Sequence, residues 1–117
     1  MSEMFRIMGQ PAGDRTTVLR LKGRLDAHSA PQLLSRCAQI RDSGQNLVLN
    51  LSEVPFIASS GVGALLALVE EFRQSRQGVR IAAASTAVKS VVKLLNLNQF
   101  LALDETEEEA IAELEAV

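Results

Sequence analysis

The chain has 117 residues, of which 47% are hydrophobic, so it can bury one core and is too short for a second domain. Its 12 basic and 14 acidic residues give a formal net charge of -2, and it contains no Trp or Tyr for base stacking, which argues against direct nucleic-acid binding. No apolar run approaches the roughly 20 residues that span a bilayer, and the first residues lack the apolar stretch of a secretory signal, so we expect a cytoplasmic chain without membrane insertion.

Two extended segments open the chain. Phe5–Met8 and Thr17–Leu25 flank a predicted loop, 9–14, that is rich in glycine and proline, which indicates an antiparallel hairpin. Apolar and basic side chains alternate along the second segment. One face is therefore predicted to be buried, and the other to be exposed to solvent or to contact a partner that carries carboxylates. The buried face has Leu19, Leu21 and Leu25, and the basic face has Arg20, Lys22 and Arg24.

A helix is predicted over Ala30–Ser43. Ser29 is placed to cap it, and Gly44 to end it. The lone cysteine, Cys37, cannot form an internal disulfide and is expected to be a small core residue. The apolar stripe of this helix is Leu33, Leu34, Cys37 and Ile40.

The next strand and helix surround a pair of serines. Leu47–Leu51 is apolar at nearly every position, which predicts a central strand that is covered on both faces. After a short turn, Ser59 and Ser60 open a helix with a full apolar stripe. That stripe is Val62, Leu65, Leu66, Val69 and Phe72.

The last part of the chain repeats this alternation. Val79–Ala84 is predicted as a strand, and Ser85 or Thr86 as the cap of a third helix with the stripe Val88, Val91, Val92 and Leu95. Phe100–Leu103 is predicted as a short strand, and the acidic run 104–109 as the dipole-matched start of a helix that reaches Leu114. The expected fold is α/β, a mixed sheet with about four helices in the order β-β-α-β-α-β-α-β-α.

The serine pair has two interpretations. A helix start presents unpaired N–H groups and the positive end of the macrodipole, so a phosphate on Ser59 would find donors there. Serine is equally a preferred N-cap, and Ser59 or Ser60 could serve only that purpose. Gly61 and Gly63 allow a tight turn and a close approach to a neighbour, and they favour neither interpretation.

Three catalytic interpretations fail on their first requirement. His28 is the only histidine, expected on a surface loop, and has no second histidine or nearby cysteine with which to hold a metal. A nucleophile elbow would need glycine where Ile57 stands. A dinucleotide-binding turn at Gly61 and Gly63 would lack its third glycine, and no P-loop lysine follows. We therefore predict no enzyme activity, no cofactor and no metal.

The chain resembles the STAS domains, and among them the anti-sigma factor antagonists. Residues 47–51 with 56–63 are similar to the family's strand, Asp-Ser-Ser-Gly-Leu-Gly turn and helix. Residues 23–26 look like its Gly-Glu-Leu-Asp element, and residues 87–90 resemble its Pro-Ala-Val-Lys-Arg helix start. The resemblance implies that Ser59 is phosphorylated by a partner that is both anti-sigma factor and serine kinase, and that Asp26 lies near Ser59. It implies a partner surface formed by Asp26, Ser59, Ser60, Gly61 and Gly63.

One position departs from the family motif. Ala58 stands where the motif has its leading Asp, so the carboxylate that would sit beside the phosphoacceptor is missing. The alternative is therefore a STAS subunit that is not phosphorylated and belongs to a larger assembly, such as a lipid-transport or stress-signalling complex. A small enzyme or nucleotide-binding protein is the third hypothesis, and the sequence does not decide the oligomeric state.

Overall fold

One mixed sheet and the helices that cover it make up the computed structural model, which describes residues 4–116. The strands are β1 (Arg6–Ala12), β2 (Thr16–Lys22), β3 (Asn46–Glu53), β4 (Val79–Ala82) and β5 (Leu103–Asp104). The helices are α1 (Ala30–Asp42), α2 (Ser59–Gln74), α3 (Thr86–Leu94) and α4 (Glu107–Glu115), and a short 3₁₀ helix spans Leu97–Gln99.

The strands lie side by side in the order of the chain, β1-β2-β3-β4-β5. β1 pairs with β2 antiparallel, and every later neighbour is parallel. Since the parallel strands are joined by helices, the carboxyl ends of β2, β3 and β4 lie at one edge of the sheet, where α1, α2 and α3 begin. The predicted α/β fold and its order of elements are confirmed.

The two faces of the sheet are covered unequally. Helices α1, α2 and α3 pack on one face, and α4 covers part of the other. β3 is buried on both faces, as its apolar sequence predicted. The main core joins Leu19, Leu21, Leu47, Leu49 and Leu51 of the sheet to Leu33, Leu65, Leu68, Phe72, Val88 and Val92 of the helices; the second, smaller cluster is Val18, Val48, Ala82 and Ala110.

The opening hairpin is tighter than predicted. Gly9 and Pro11 lie within β1 and not in a loop, and the turn is confined to residues 13–15. β1 is an edge strand, where proline is tolerated because its nitrogen has no ladder hydrogen bond to make. β2 ends at Lys22, three residues earlier than predicted, because Gly23 has φ +115° and turns the chain out of the ladder.

The region after β4 shows the other boundary errors. β4 stops at Ala82 because Ala83 has φ 52°, a left-handed conformation that does not continue a strand. Leu95 is 53% exposed at the end of α3, and Phe100 is 60% exposed after the 3₁₀ helix, so neither holds its predicted place in a stripe or a strand. Ser85 is the cap of α3, with its hydroxyl accepting from the Val88 N–H at 3.2 Å.

Helix α4 is tied to the hairpin at both of its ends. It begins with a capping box between Thr106 and Glu109, so the end of the acidic run is a helix start as predicted, whereas Asp104 belongs to β5. Near its end, the Glu115 carboxylate accepts hydrogen bonds from the N–H groups of Asp14 and Arg15 at 2.9 and 3.2 Å. Residues about a hundred positions apart are thereby held together.

At the start of α4, Glu107 joins the helix to the sheet. Its carboxylate accepts two hydrogen bonds from the Arg20 guanidinium, each at 2.8 Å, and one from the Asn50 amide at 2.6 Å. Its side chain is only 18% exposed. The bonds from Arg20 lower the pKa of Glu107 from its ordinary value of 4.5.

Replacing Glu107 with glutamine is expected to reduce the free energy of unfolding by about 1 kcal/mol at neutral pH, because the ion pair with Arg20 becomes a hydrogen bond between a cation and a neutral amide. A carboxylate whose pKa is lowered in the folded state stabilises the fold at pH values above its unfolded pKa, which is near 4.5. This stabilisation is lost as the pH falls through the pKa of the folded state. Urea unfolding at about pH 7 and about pH 3 should therefore show a smaller difference at the lower pH. The exposed neighbour, in Glu108→Gln, is the control, and an equal loss from both variants would contradict the assignment.

Candidate functional site

Two loops meet at the carboxyl edge of the sheet and position the serine pair. The Leu25 N–H donates to the Phe56 carbonyl at 3.0 Å, and the Ala58 N–H donates to the Leu25 carbonyl at 2.9 Å. Leu25 and Ile57 form a parallel bridge, and both side chains are buried in the core. The segment before α1 and the turn before α2 are therefore held as one unit.

The two serines do not cap α2. The N-cap is Ala58, with extended backbone angles of φ -91° and ψ 170°, and no side chain there accepts a hydrogen bond. Ser59 and Ser60 are the first two residues of the helix, both are exposed, and neither hydroxyl has a hydrogen-bond partner among residues 4–116. The interpretation of the pair as N-caps is wrong. The first turn keeps its unpaired N–H groups, and the Ser59 hydroxyl is accessible at the positive end of the helix dipole.

Replacing Ala58 with aspartate is expected to raise the free energy of unfolding by about 1 kcal/mol, since a carboxylate at an extended N-cap accepts from the N–H groups of the next turn. Ala58→Asn is the matched variant, because it offers the acceptor without the charge. Urea unfolding should rank aspartate and asparagine above alanine. A loss of stability in both variants would show that the turn cannot place an N-cap side chain.

Asp26 has a structural task in the loop before α1 and lies opposite Ala58. Its Oδ1 atom accepts from the N–H groups of His28 and Ser29 at 3.0 and 3.1 Å, and its own carbonyl accepts from the Ala30 N–H at 2.9 Å. These hydrogen bonds lower the pKa of the Asp26 carboxyl, and the bond from the Ser29 N–H has the largest effect. Leu25 and Ile57 are paired across the parallel bridge. The residues that follow them, Asp26 and Ala58, therefore lie in neighbouring positions.

Ser29 does not perform its predicted capping. Its side chain is buried, and the hydroxyl donates to the Arg24 carbonyl at 2.7 Å and accepts from the Asp26 N–H at 3.0 Å. The acceptor that stabilises the start of α1 is the Asp26 carboxylate. The sequence does not reveal that Asp26 takes the role predicted for Ser29. A carboxylate three residues before the N-cap reaches the N–H groups of His28 and Ser29 only when the loop folds back.

The sequence places Arg24 in a basic row and in the segment 23–26 that resembles the family's Gly-Glu-Leu-Asp element, and it predicts no contact with Phe56. Its guanidinium carbon lies 4.0 Å from the centre of the Phe56 ring, and its Nε atom is 3.9 Å from the Asp26 carboxylate. The Arg24 side chain is 62% exposed. A shallow cavity of about 400 Å³ opens beside it and is lined also by Met4, Phe5, Asp26, His28, Ser29 and Gln32.

The two glycines of the serine turn differ in environment. A Cβ atom on Gly61 would lie 2.6 Å from the Leu25 carbonyl oxygen and 2.9 Å from the Leu25 Cγ atom. Gly61 is therefore buried and allows the two loops to pack closely. Gly63 is exposed, and nothing lies within 4 Å of the position that its Cβ would take. Of these two predicted partner-binding residues, Gly63 is the one that is exposed for contact with a partner.

Other chemistry finds little support in residues 4–116. His28 is exposed on its loop, as predicted. Cys37 is buried, and desolvation raises the pKa of its thiol to about 12, far from the range of a reactive thiolate. This part of the chain contains no cluster of His, Cys, Asp and Glu with the spacing of a metal site. It contains no helix with both the length and the apolar character that a bilayer crossing requires.

Comparison with known proteins agrees with this architecture. A family model described as the STAS domain matches residues 11–110. This chain is a STAS domain. An anti-sigma F factor antagonist of Lysinibacillus sphaericus is 30% identical to it over 98 residues, which cover 82% of this chain and 83% of the relative. The STAS domain described here thus belongs with the anti-sigma factor antagonists.

Solved structures extend the likeness of this STAS domain to three dimensions. The anti-sigma factor antagonist SpoIIAA in its unphosphorylated form superposes with a TM-score of 0.79 and 25% identity, over 96% of this chain and 98% of that one. An anti-sigma factor antagonist from Mycobacterium paratuberculosis superposes with a TM-score of 0.85 and 23% identity, over 97% and 98% of the two chains. The second comparison supports the fold alone.

Proposed function

We propose that this protein is a cytoplasmic anti-sigma factor antagonist, which binds an anti-sigma factor that is also a serine kinase and thereby releases a sigma factor. Phosphorylation of Ser59 by that kinase ends the binding. The observation that carries the proposal is the exposed Ser59 hydroxyl at the first residue of α2, which has no hydrogen-bond partner within residues 4–116. The named relatives supply the class of partner.

The surface around Ser59 suits a docked protein. Ser60, Gly63 and Ala67 are exposed on the first turns of α2, and they are small enough for another backbone to approach closely. The turn is fixed by the bridge between Leu25 and Ile57, so little ordering is needed on binding. A rigid, neutral and exposed surface of this kind can be bound by a partner while Ser59 is unmodified and blocked when Ser59 is phosphorylated.

A phosphate on Ser59 would act at the interface more than on the fold. It adds about -1.5 to -2 charges at neutral pH, and the unpaired N–H groups of α2 together with the helix dipole accommodate them. The partner, in contrast, must desolvate or repel that charge. Each ~1.4 kcal/mol is a factor of ten in affinity, so a hundredfold switch requires only about 3 kcal/mol.

The direct test is incubation with ATP and each purified anti-sigma factor kinase of the source organism, followed by peptide mass mapping. We expect one phosphate, on Ser59, and none when Ser59→Ala is the substrate. Ser60→Ala is the matched control and should still be modified. Phosphate on Ser60 alone, or on neither serine with every kinase, would contradict the proposal.

Ala58 favours a second candidate, a STAS subunit of a larger assembly that is never phosphorylated. In that case the same edge would be a permanent interface, and the absence of a carboxylate beside Ser59 would be of no consequence. Kinase incubation separates the two candidates, because only the switch requires modification. Co-purification with transporter or stress-signalling subunits, without any kinase, would favour the second.

A further inference from the structure

The edge that presents Ser59 carries few charges of its own. Residues 54–69 contain no Asp, Glu, Lys or Arg, so the turn and the first half of α2 are electrically neutral. The charged side chains of the bridged segment beside this turn are Arg24 and Asp26. These two groups are therefore the charges that the segments 24–26 and 54–59 bring to the edge of Ser59.

The two charges are not equally available. The Oδ1 atom of Asp26 already accepts two backbone N–H groups, and the Asp26 side chain is 32% exposed. Arg24 is 62% exposed and makes no side-chain hydrogen bond within residues 4–116; its nearest carboxylate oxygen is at 3.9 Å. Around them, Lys22 lies opposite Glu53 in the strand register, and Lys89 forms an ion pair with Glu105 at 4.0 Å.

The Phe56 ring lies against the Arg24 guanidinium, which also makes a long ion pair with Asp26 at 3.9 Å. A guanidinium stacked on a ring at 4.0 Å keeps its N–H groups directed outward in its own plane, where they can bind a carboxylate in two-pronged fashion. Holding the side chain beforehand reduces the rotamer entropy that binding would cost. Phe56 is three residues before Ser59, and Arg24 precedes Leu25, which is bridged to Ile57, so the guanidinium and Ser59 belong to the same pair of bridged segments.

We propose that Arg24, positioned by Phe56, is the specificity-determining contact of the Ser59 edge, and that it selects a kinase whose docking surface places a carboxylate opposite it. This inference rests on the proposed function. It also assigns a second effect to the phosphate. A dianion near Arg24 competes for the guanidinium and repels the partner's carboxylate at the same time.

The test measures association of the purified kinases of the source organism with the unmodified protein and with Arg24 variants. A contact at the rim of an interface acts mainly on the association rate and on its salt dependence. At about 0.05 M salt, where the Debye length exceeds 10 Å, we expect Arg24→Glu to associate about tenfold more slowly and Arg24→Gln to be intermediate. Near 1 M salt, where the Debye length is about 3 Å, the three rates should converge.

Arg76→Glu is the matched control, since this exposed arginine follows the end of α2, at the opposite edge of the sheet from Ser59. Its association rate should stay within about twofold of the parent. If a kinase binds in a Ser59-dependent manner but associates with Arg24→Glu as fast as with the parent, or faster, the inference is overturned and the proposed function stands. If no kinase binds the parent, or Ser59→Glu binds as the parent does, the proposed function fails and the inference with it.

Discussion

Replacing Ser59 with glutamate is expected to weaken binding of the partner kinase about a hundredfold, whereas alanine should leave the affinity within about threefold. The difference corresponds to roughly 3 kcal/mol. Alanine removes a hydroxyl that has no partner within the described residues, so the folded surface changes little. Glutamate places a charge at the first residue of α2, where the helix dipole tolerates it and the docked partner does not.

Calorimetry or surface plasmon resonance with the purified kinase measures this difference. Ser35→Glu, at an exposed position of α1, introduces the same charge away from the Ser59 edge and should bind like the parent. Melting curves of all variants show whether they are folded. Equal affinity for the glutamate and alanine variants would eliminate the switch, even if both bound tightly.

The second large effect concerns stability and uses the two glycines of α2. Gly61→Ala is expected to lower the free energy of unfolding by about 2 kcal/mol, because the new Cβ would lie 2.6 Å from a backbone oxygen of Leu25, which cannot move aside cheaply. Gly63→Ala should instead raise it by about 0.5–1 kcal/mol, since alanine is the better helix former and the space is empty.

Urea unfolding of both variants measures the contrast, and the slope of the transition should stay the same. Two substitutions of the same chemistry, two residues apart in one helix, are then expected to change stability in opposite directions. A similar change in both would mean that the contact between Leu25 and α2 is looser than described. The stabilised Gly63→Ala variant also reports on binding, because a methyl group there would stand in the path of a closely docked partner.

The elements of this fold follow from periodicity, and most of them were predictable. The spacing of apolar residues predicts the buried stripes of α1 and α2 and the burial of β3 on both faces. Leu95 and Phe100 show the limit of such patterns. An apolar side chain near the end of a helix fits a stripe in sequence, but the helix ends before that position can turn towards the core.

The site was less predictable than the fold. The position of Ser59 at the start of a helix follows from the sequence, but which residue caps that helix depends on where the first turn closes. Asp26 stabilises α1 because its loop folds back, and Arg24 meets Phe56 because two segments some 30 residues apart are bridged. Tertiary contacts of this kind leave no signal in local spacing.

The attachment of α4 to the hairpin has a consequence for how the molecule opens. β1 has one strand neighbour, so by itself it would fray readily, and α4 covers only a small cluster. Because the Glu107 and Glu115 carboxylates bind the second strand and the turn of the hairpin, α4 cannot detach without releasing that turn. The amide protons of Asp14 and Arg15, which donate to Glu115, should therefore exchange with solvent together with those of α4, while the bridged loops beside Ser59 stay closed.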